Sequence, residues 1–208
     1  MSRIITPVKD NKDKEITYRT AVSRYNRAIK EGFYFEALLI DYALIEDRLK
    51  SFIYHIGLMK TRNSYRIDCD RAKRSFKPII EEYKSQNENA SFTCSTISGK
   101  MKIIRSSLIW AEQETYDYND KYLRAIRQQY DKYLDADGLL TVLEEVRTWC
   151  DYRNEIIHAL LNKNVESVNE NLEAQALIGI ELARYIDDQV KNVKKGNRIR
   201  RSIGLPDK

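Results

Sequence analysis

The residues of this chain best suited to chemistry lie close together, in the stretch from Cys150 to Asn164. Arg153, Asn154 and His158 are found there, and His158 is one of 2 histidines in the protein. An arginine offers a planar, permanently charged fork that matches the oxygens of a phosphate group. A histidine titrates near neutrality and can accept or donate a proton. Together these side chains suit a reaction at a phosphate.

The same residues fall on a long predicted helix that starts near Gly138. Its apolar stripe consists of Leu139, Val142, Val146, Trp149, Cys150, Ile156, Ile157 and Leu160. Helical spacing places Arg153 within that stripe, where a charge needs a partner or a ligand. His158 lies about 140° further round the helix and about 7.5 Å along its axis, and Asn154 is close enough to touch it. The spacing alone is also compatible with a structural histidine at the surface or at a helix cap. The residues around His158 must therefore distinguish a functional role from a structural one.

Two carboxylates on an earlier predicted helix are candidate partners for Arg153. The helix from about Tyr34 to Ile56 is the most apolar of the chain, with Asp41 at the edge of its stripe and Glu46 on its flank. Angular position favours Asp41. Ordinary exposure to solvent fits both carboxylates as well. His55 has no arginine five residues before it, and we interpret it as structural.

The segment Arg153-Asn154-Glu155-Ile156-Ile157-His158 resembles the signature of the HEPN superfamily, a family of all-helical domains. That signature is an Arg, a polar residue, a few further residues and a His near the end of a late helix. The segment Ala43 to Lys50 resembles the early helix of the family, and this resemblance favours Glu46 as the supporting acid. Residues from about Met59 to Leu134 match no branch of the family. Leu160 stands where some members have a tyrosine, which speaks against nucleotide-transfer chemistry.

The resemblance implies a metal-independent endoribonuclease without a cofactor. His158 would act as general base or acid on the ribose 2′-hydroxyl or the leaving 5′-oxygen, and Arg153 would bind the scissile phosphate. Asn154 would orient the imidazole or hold a phosphate oxygen. One histidine cannot easily supply both an acid and a base, and the solution usual in the family is a homodimer whose signature helices share one cleft. The expected products carry 2′,3′-cyclic phosphate ends.

The resemblance also implies a toxin or an antiviral-defence effector, controlled by an antitoxin or by a guide or regulatory RNA. The alternative is a non-catalytic helical module that binds RNA or a partner. In that case Arg153 is a buried ion-pair residue and His158 caps a helical hairpin.

Composition and periodicity predict an all-α bundle of about six to seven helices. Of 208 residues, 32% are charged, 7 are glycine and 3 are proline, which suits a mostly helical protein. The predicted helices cover residues 16–31, 34–56, 71–86, 100–114, 120–134, 138 onward and 168–193, with Pro78 kinking the third or marking a later start. We expect a flexible arm over 1–15, one helical domain over 16–193 and a basic tail over 194–208. The signature helix and the last helix should form an antiparallel hairpin.

Several functional classes find no support in the sequence. No run of about 18 uncharged apolar residues occurs, so no membrane span is expected. The 3 cysteines are far apart, and neither a metal site nor a disulfide framework follows. A reducing cytoplasm is the natural inference.

Two basic segments could contact RNA. The tail carries Lys194, Lys195, Arg198, Arg200 and Arg201, which could follow a phosphate backbone or simply be solvated. The stretch 116–133 interleaves tyrosines with basic residues, which could stack on and clamp single-stranded RNA or form half-buried core.

Overall fold

The fold is built from helices joined by turns. The computed structural model describes residues 8, 10–64, 66–86, 93–113, 119–159, 162, 168 and 170–206. Its helices are α1 (Asn11–Lys30), α2 (Tyr34–His55), α3 (Asp70–Ser75), α4 (Lys77–Gln86), α5 (Ile97–Glu112), α6 (Lys121–Tyr133), α7 (Ala136–Ala159), α8 (Leu172–Lys194) and α9 (Arg198–Ser202). No strand occurs among these residues, so the all-α prediction is confirmed.

Helices α2 and α8 form the centre of the bundle and pack against each other more extensively than any other pair described. Helix α1 covers α2, α7 packs on α8, and α5 contacts both α2 and α7. Gly179 of α8 allows the close approach, because a Cβ atom there would lie 2.7 Å from Asp41 Oδ2 and 2.7 Å from Trp149 Cζ2. The core therefore depends on a residue without a side chain at this crossing.

Side-chain hydrogen bonds set the direction of α7 relative to α8. Trp149 Nε1 donates to the carbonyl of Gln175 at 2.9 Å, and the Tyr152 hydroxyl donates to the carbonyl of Glu170 at 3.0 Å. At the other end of α7, the Gln189 side chain accepts from the backbone N–H of Asp135 at 3.2 Å. Later residues of α7 therefore contact earlier residues of α8, so the two helices run antiparallel.

The first helix starts earlier than the sequence predicts. The Asp10 carboxylate accepts hydrogen bonds from the backbone N–H groups of Lys12 and Asp13 at 2.8 and 2.9 Å. This cap starts α1 at Asn11 instead of Ile16, so the predicted arm is wrong for residues 11–15. The predicted third helix is divided at Phe76 into α3 and α4, which agrees with a later start at Pro78.

The C-terminal segment is folded, and both sequence-based interpretations of Arg200 are wrong, because its buried side chain neither follows an RNA backbone nor is solvated. Helix α9 packs on α6, and the Arg200 side chain is only 2% exposed. Its guanidinium donates to the carbonyls of Tyr54 at 2.8 Å, Met59 at 2.9 Å and Lys60 at 3.1 Å. It also lies 3.8 Å from the centre of the Tyr54 ring. Arg200 therefore ties the C-terminus to the end of α2.

Replacing Arg200 with methionine should lower the free energy of unfolding by on the order of 3 kcal/mol, because buried carbonyls would be left without their donors. Denaturant unfolding measures this change. Arg198→Met is the matched control, since Arg198 is exposed on the same short helix, and it should change stability by less than about 0.5 kcal/mol. Equal effects of the two substitutions would contradict a structural role for Arg200.

None of the described helices combines the length and the apolar character that crossing a membrane requires.

Candidate functional site

Arg153 is half-buried on α7 and faces α2. Its guanidinium carbon lies 4.2 Å from the centre of the Tyr42 ring, and Nη1 donates to Asn154 Oδ1 at 3.1 Å. Its Nε is buried and has no hydrogen-bond partner. Among the described residues, no carboxylate forms an ion pair with it. An aromatic face and an amide thus contact Arg153, and its positive charge is not neutralised by a described acid.

Glu46 pairs with a different cation than the resemblance suggests. Its Oε1 accepts from Lys100 Nζ of α5 at 2.9 Å, and the Lys100 side chain is 1% exposed. A buried ammonium without a counter-ion would be costly in free energy, so Lys100 forms an ion pair with Glu46. Glu46 still lies within electrostatic reach of the site, because burial and then Glu46 raise the pKa of Tyr42, the ring under Arg153. The predicted pairing of Glu46 with Arg153 is wrong.

Asp41 is not a partner of Arg153 either. The carboxyl group is 0% exposed, at the crossing of α2 with α8, and neither of its oxygens has a hydrogen-bond partner. Burial raises its pKa to about 8, and Arg184 offsets this only in part. Angular position placed Asp41 on the edge of the stripe, but at this turn α2 faces Gly179 of α8. Asp41 therefore lies in the core, protonated at neutral pH.

His158 lies near the end of α7 with its side chain exposed. It lines an open pocket of about 620 Å³ together with Tyr152, Glu155, Ile156, Ala159, Val168, Glu170 and Asn171. That volume lies within the range of ligand pockets, about 300–1,000 Å³. Asn162 Nδ2 donates to the backbone carbonyl of His158 at 3.4 Å. Within the described part of the chain no hydrogen bond engages the imidazole.

The structure brings Arg153 and Asn154 together but does not join either to His158. The Asn154 amide oxygen is used by Arg153, and no hydrogen bond connects Asn154 with His158 in the described residues. Arg153 points toward Tyr42 of α2, whereas His158 points toward the pocket near the start of α8. Arg153 and His158 thus lie on different sides of the same helix.

Other reactive groups near the site are unsuited to catalysis. Burial raises the pKa of the Cys150 thiol to about 11, so it stays protonated and is a poor nucleophile. His55 is 5% exposed, and burial followed by Arg62 lowers its pKa to about 3. It is a neutral core residue, as a structural histidine should be. The described residues contain no group of three or more His, Cys, Asp or Glu arranged to hold a metal ion.

Sequence reasoning missed Lys100, whose ammonium lies beside the site. Lys100 lies three residues after Ile97 and four before Ile104, and both isoleucines are buried. Helical spacing in the sequence therefore already placed Lys100 in an apolar stripe. The argument that marked Arg153 as a charge needing a partner applies equally to this lysine. What the stripe could not show is that the partner is Glu46.

Comparisons of the chain with protein-family models, with curated proteins and with solved structures found no match. The function must therefore be argued from the residues and geometry of the site.

Proposed function

We propose that this protein is a metal-independent endoribonuclease that cuts single-stranded RNA with Arg153, Asn154 and His158. The observation that carries the proposal is the state of Arg153, a half-buried cation whose buried Nε has no hydrogen-bond partner and whose charge no described acid neutralises. A guanidinium group is planar, and its fork of donors matches the oxygens of a phosphate group. A phosphate would supply the counter-charge that no described acid provides.

The reaction needs only the groups of the chain and the RNA. His158 takes the proton of a ribose 2′-hydroxyl, and the 2′-oxygen attacks the adjacent phosphorus. The bond from phosphorus to the 5′-oxygen breaks, and that oxygen takes a proton from the His158 imidazolium of a second copy of the chain. The products are a 2′,3′-cyclic phosphate and a 5′-hydroxyl. Arg153, oriented by Asn154, stabilises the charge that grows on the phosphate oxygens.

A second copy of the chain completes the site in this proposal. A single imidazole cannot easily both remove and supply a proton, and Arg153 and His158 face different sides of α7. Exposed apolar side chains near His158 favour such a contact. Leu177, which is 47% exposed, lines a shallow pocket with Asn171, and Asn171 also lines the His158 pocket. In this proposal the signature helices of the two copies meet, so that Arg153 and His158 of both copies share one cleft.

The biological role that we propose follows the resemblance of the signature. A small ribonuclease with this signature would act as a toxin or an antiviral-defence effector, held in check by an antitoxin or by a regulatory RNA. The alternative remains a helical module that binds RNA or a partner without cutting. In one form of this alternative, Arg153 is a buried ion-pair residue. That form is disfavoured, because no described carboxylate pairs with Arg153.

Arg153→Ala should reduce RNA cleavage by about 10²–10³-fold, as expected when one group that stabilises transition-state charge is removed. Its melting temperature should stay near that of the wild type, because no ion pair is broken. Arg147→Ala is the matched control on the same helix: its side chain is 72% exposed and lies 3.9 Å from Glu144. The control should cleave normally. In cells, wild type and Arg147→Ala should arrest growth, and Arg153→Ala should not.

A marked loss of stability in Arg153→Ala, with no cleavage by the wild type, would instead favour the binding module.

A further inference from the structure

Helix α6 and the C-terminal segment, separated by about sixty residues in sequence, lie side by side. Gln129 Nε2 donates to the carbonyls of Asn192 at 2.7 Å and Lys195 at 3.1 Å. The ammonium groups of Lys132 and Lys195 lie 5.1 and 5.0 Å from the centre of the half-buried Tyr133 ring. One aromatic ring therefore holds a cation from each segment at the same corner of the molecule.

The other end of α6 makes a second junction of this kind. Arg71 of α3, Lys121 of α6 and Ser202 of α9 line one small pocket of about 160 Å³. Arg74 is one helical turn from Arg71 and is also exposed. Three elements of the chain thus converge here, and two of them bring exposed cations.

These junctions bring exposed cations to both ends of α6. We define the basic face as the exposed cations of α3, α6 and residues 195–202. Helix α3 contributes Arg71, Lys73 and Arg74, and α6 contributes Lys121, Arg124 and Lys132. The C-terminal segment contributes Lys195, Arg198 and Arg201.

Few acids oppose the basic face. Among the described residues of these three elements, the exposed carboxylates are Asp70 and Asp131, and Asp131 already lies 3.4 Å from Arg127. The half-buried Asp120 also lines the small pocket of Arg71 and Lys121, where its carboxylate caps α6. The whole chain has 36 basic and 31 acidic residues, so the excess of cations on this face is local.

Buried Arg200 keeps the basic face in place. Its hydrogen bonds to the carbonyls of Tyr54, Met59 and Lys60 fix the segment that carries Arg198 and Arg201. Cations held by a folded scaffold lose less conformational entropy on binding a polyanion than cations of a loose tail.

We propose that the basic face is a docking surface for the phosphodiester backbone of RNA, separate from the His158 pocket. Lys121 and Lys132 lie about 16 Å apart along α6, which suits a linear polyanion. The face adjoins the C-terminal end of α8, and the His158 pocket adjoins its N-terminal end. The 23 residues of α8 separate them by about 34 Å. A long RNA could contact both, and a short fragment only one.

An anionic membrane fits the basic face less well. Membrane-surface helices insert large apolar side chains beside their cations. The large apolar side chains exposed in the described chain are Ile16, Phe33, Leu39, Leu177 and Ile178. None of them belongs to α3, α6 or residues 195–202.

The test measures binding alone, although the choice of RNA as partner rests on the proposed function. Both variants carry His158→Ala, so no cleavage can intervene. The face variant replaces Lys132, Lys195 and Arg198 with glutamine. The control replaces two lysines and one arginine that are exposed on α1 and form no described ion pair: Lys12, Arg24 and Lys30. The probe is fluorescein-labelled single-stranded oligouridine RNA, followed by anisotropy over a series of salt concentrations, with vesicles containing phosphatidylserine as a second ligand.

The face variant should bind the RNA about ten- to a hundredfold more weakly than the His158→Ala parent. Its slope of log K against log salt should be shallower by about 2, because each phosphate that the protein no longer neutralises reduces the slope by ~0.7. The control should bind like the parent.

Equal weakening in both variants would overturn the proposal in favour of net charge alone, as would unchanged binding by the face variant. Vesicle binding that displaces the RNA would also overturn it. If the face variant behaves as expected but the wild type cuts no RNA, the proposed nuclease fails while the docking surface stands.

Discussion

His158→Ala is expected to slow RNA cleavage by about 10²–10⁴-fold, the usual contribution of a general acid or base. His158 is exposed and makes no described side-chain hydrogen bond, so the variant should fold and melt like the wild type. The other histidine cannot replace it, because His55 is buried in the core with a pKa of about 3. Initial rates on a defined single-stranded RNA measure the effect.

Mixing two inactive variants tests whether the site is shared between copies. If Arg153 of one copy works with His158 of the other, a heterodimer of the Arg153→Ala and His158→Ala proteins retains one intact pair. Cleavage should then return on mixing, at a rate below that of the wild type. Undiminished cleavage by His158→Ala alone would contradict the proposed chemistry, and no recovery on mixing would contradict the shared site.

Asp41→Asn is expected to stabilise the protein at neutral pH by on the order of 2–4 kcal/mol. In the wild type, folding takes this carboxyl group from water into a site where neither oxygen has a partner. An amide of nearly the same shape carries no charge and avoids that electrostatic cost. It leaves its own polar atoms unpaired, which is why the gain is smaller than the full cost of the pKa shift.

The raised pKa of Asp41 determines how the stability of the wild type changes with pH. In the unfolded chain an aspartate has a pKa of about 3.9, whereas burial raises the folded value to about 8. Below about pH 4 both states hold the proton, and the contribution of Asp41 to stability is fully present. Between about pH 4 and pH 8 only the unfolded state releases it, so wild-type stability falls by up to about 1.4 kcal/mol per pH unit. Urea unfolding of wild type and Asp41→Asn across this range should show a difference that grows with pH.

Asp47→Asn on the same helix is the matched control with the opposite sign. Burial alone would raise the pKa of Asp47, but Arg48 and Lys14 outweigh it and leave the pKa lowered. Both cations are ion-paired with this carboxylate. Its stabilisation is therefore present at neutral pH and lost as the pH falls through the lowered folded pKa, so Asp47→Asn should be less stable than the wild type. A stability difference for Asp41→Asn that does not vary with pH would contradict the raised pKa.

Local patterns predicted the helices well where caps and periodicity agree. The bounds of α2 and α6 fall within one residue of the prediction, and the Asp120 side chain caps α6 as such residues do. The start of α1 was missed because its first turn is polar and only the Asp10 cap marks it. Helix α9 was missed because its cations were interpreted as a tail that either follows a phosphate backbone or is solvated. The carbonyls that accept hydrogen bonds from Arg200 are more than a hundred residues away in sequence, and no local pattern reveals them.

Helical spacing could predict where a side chain lies on its own helix but not what it contacts on another. It placed Arg153 within an apolar stripe, and the side chain is half-buried against Tyr42. The angular position of a residue around the axis of α2, however, does not reveal which helix packs against that residue. Asp41 faces α8, and Glu46 meets a buried lysine from α5. Such pairings depend on how helices distant in sequence pack together.

The most direct test of the central claim is to incubate purified wild-type protein with single-stranded RNA in EDTA and to identify the ends of any fragments. We predict cleavage without divalent metal, leaving 2′,3′-cyclic phosphate and 5′-hydroxyl ends, because the attacking group is the 2′-hydroxyl and the proton carrier is an imidazole. Cleavage that requires a divalent cation, or that leaves 3′-hydroxyl and 5′-phosphate ends, would contradict the account.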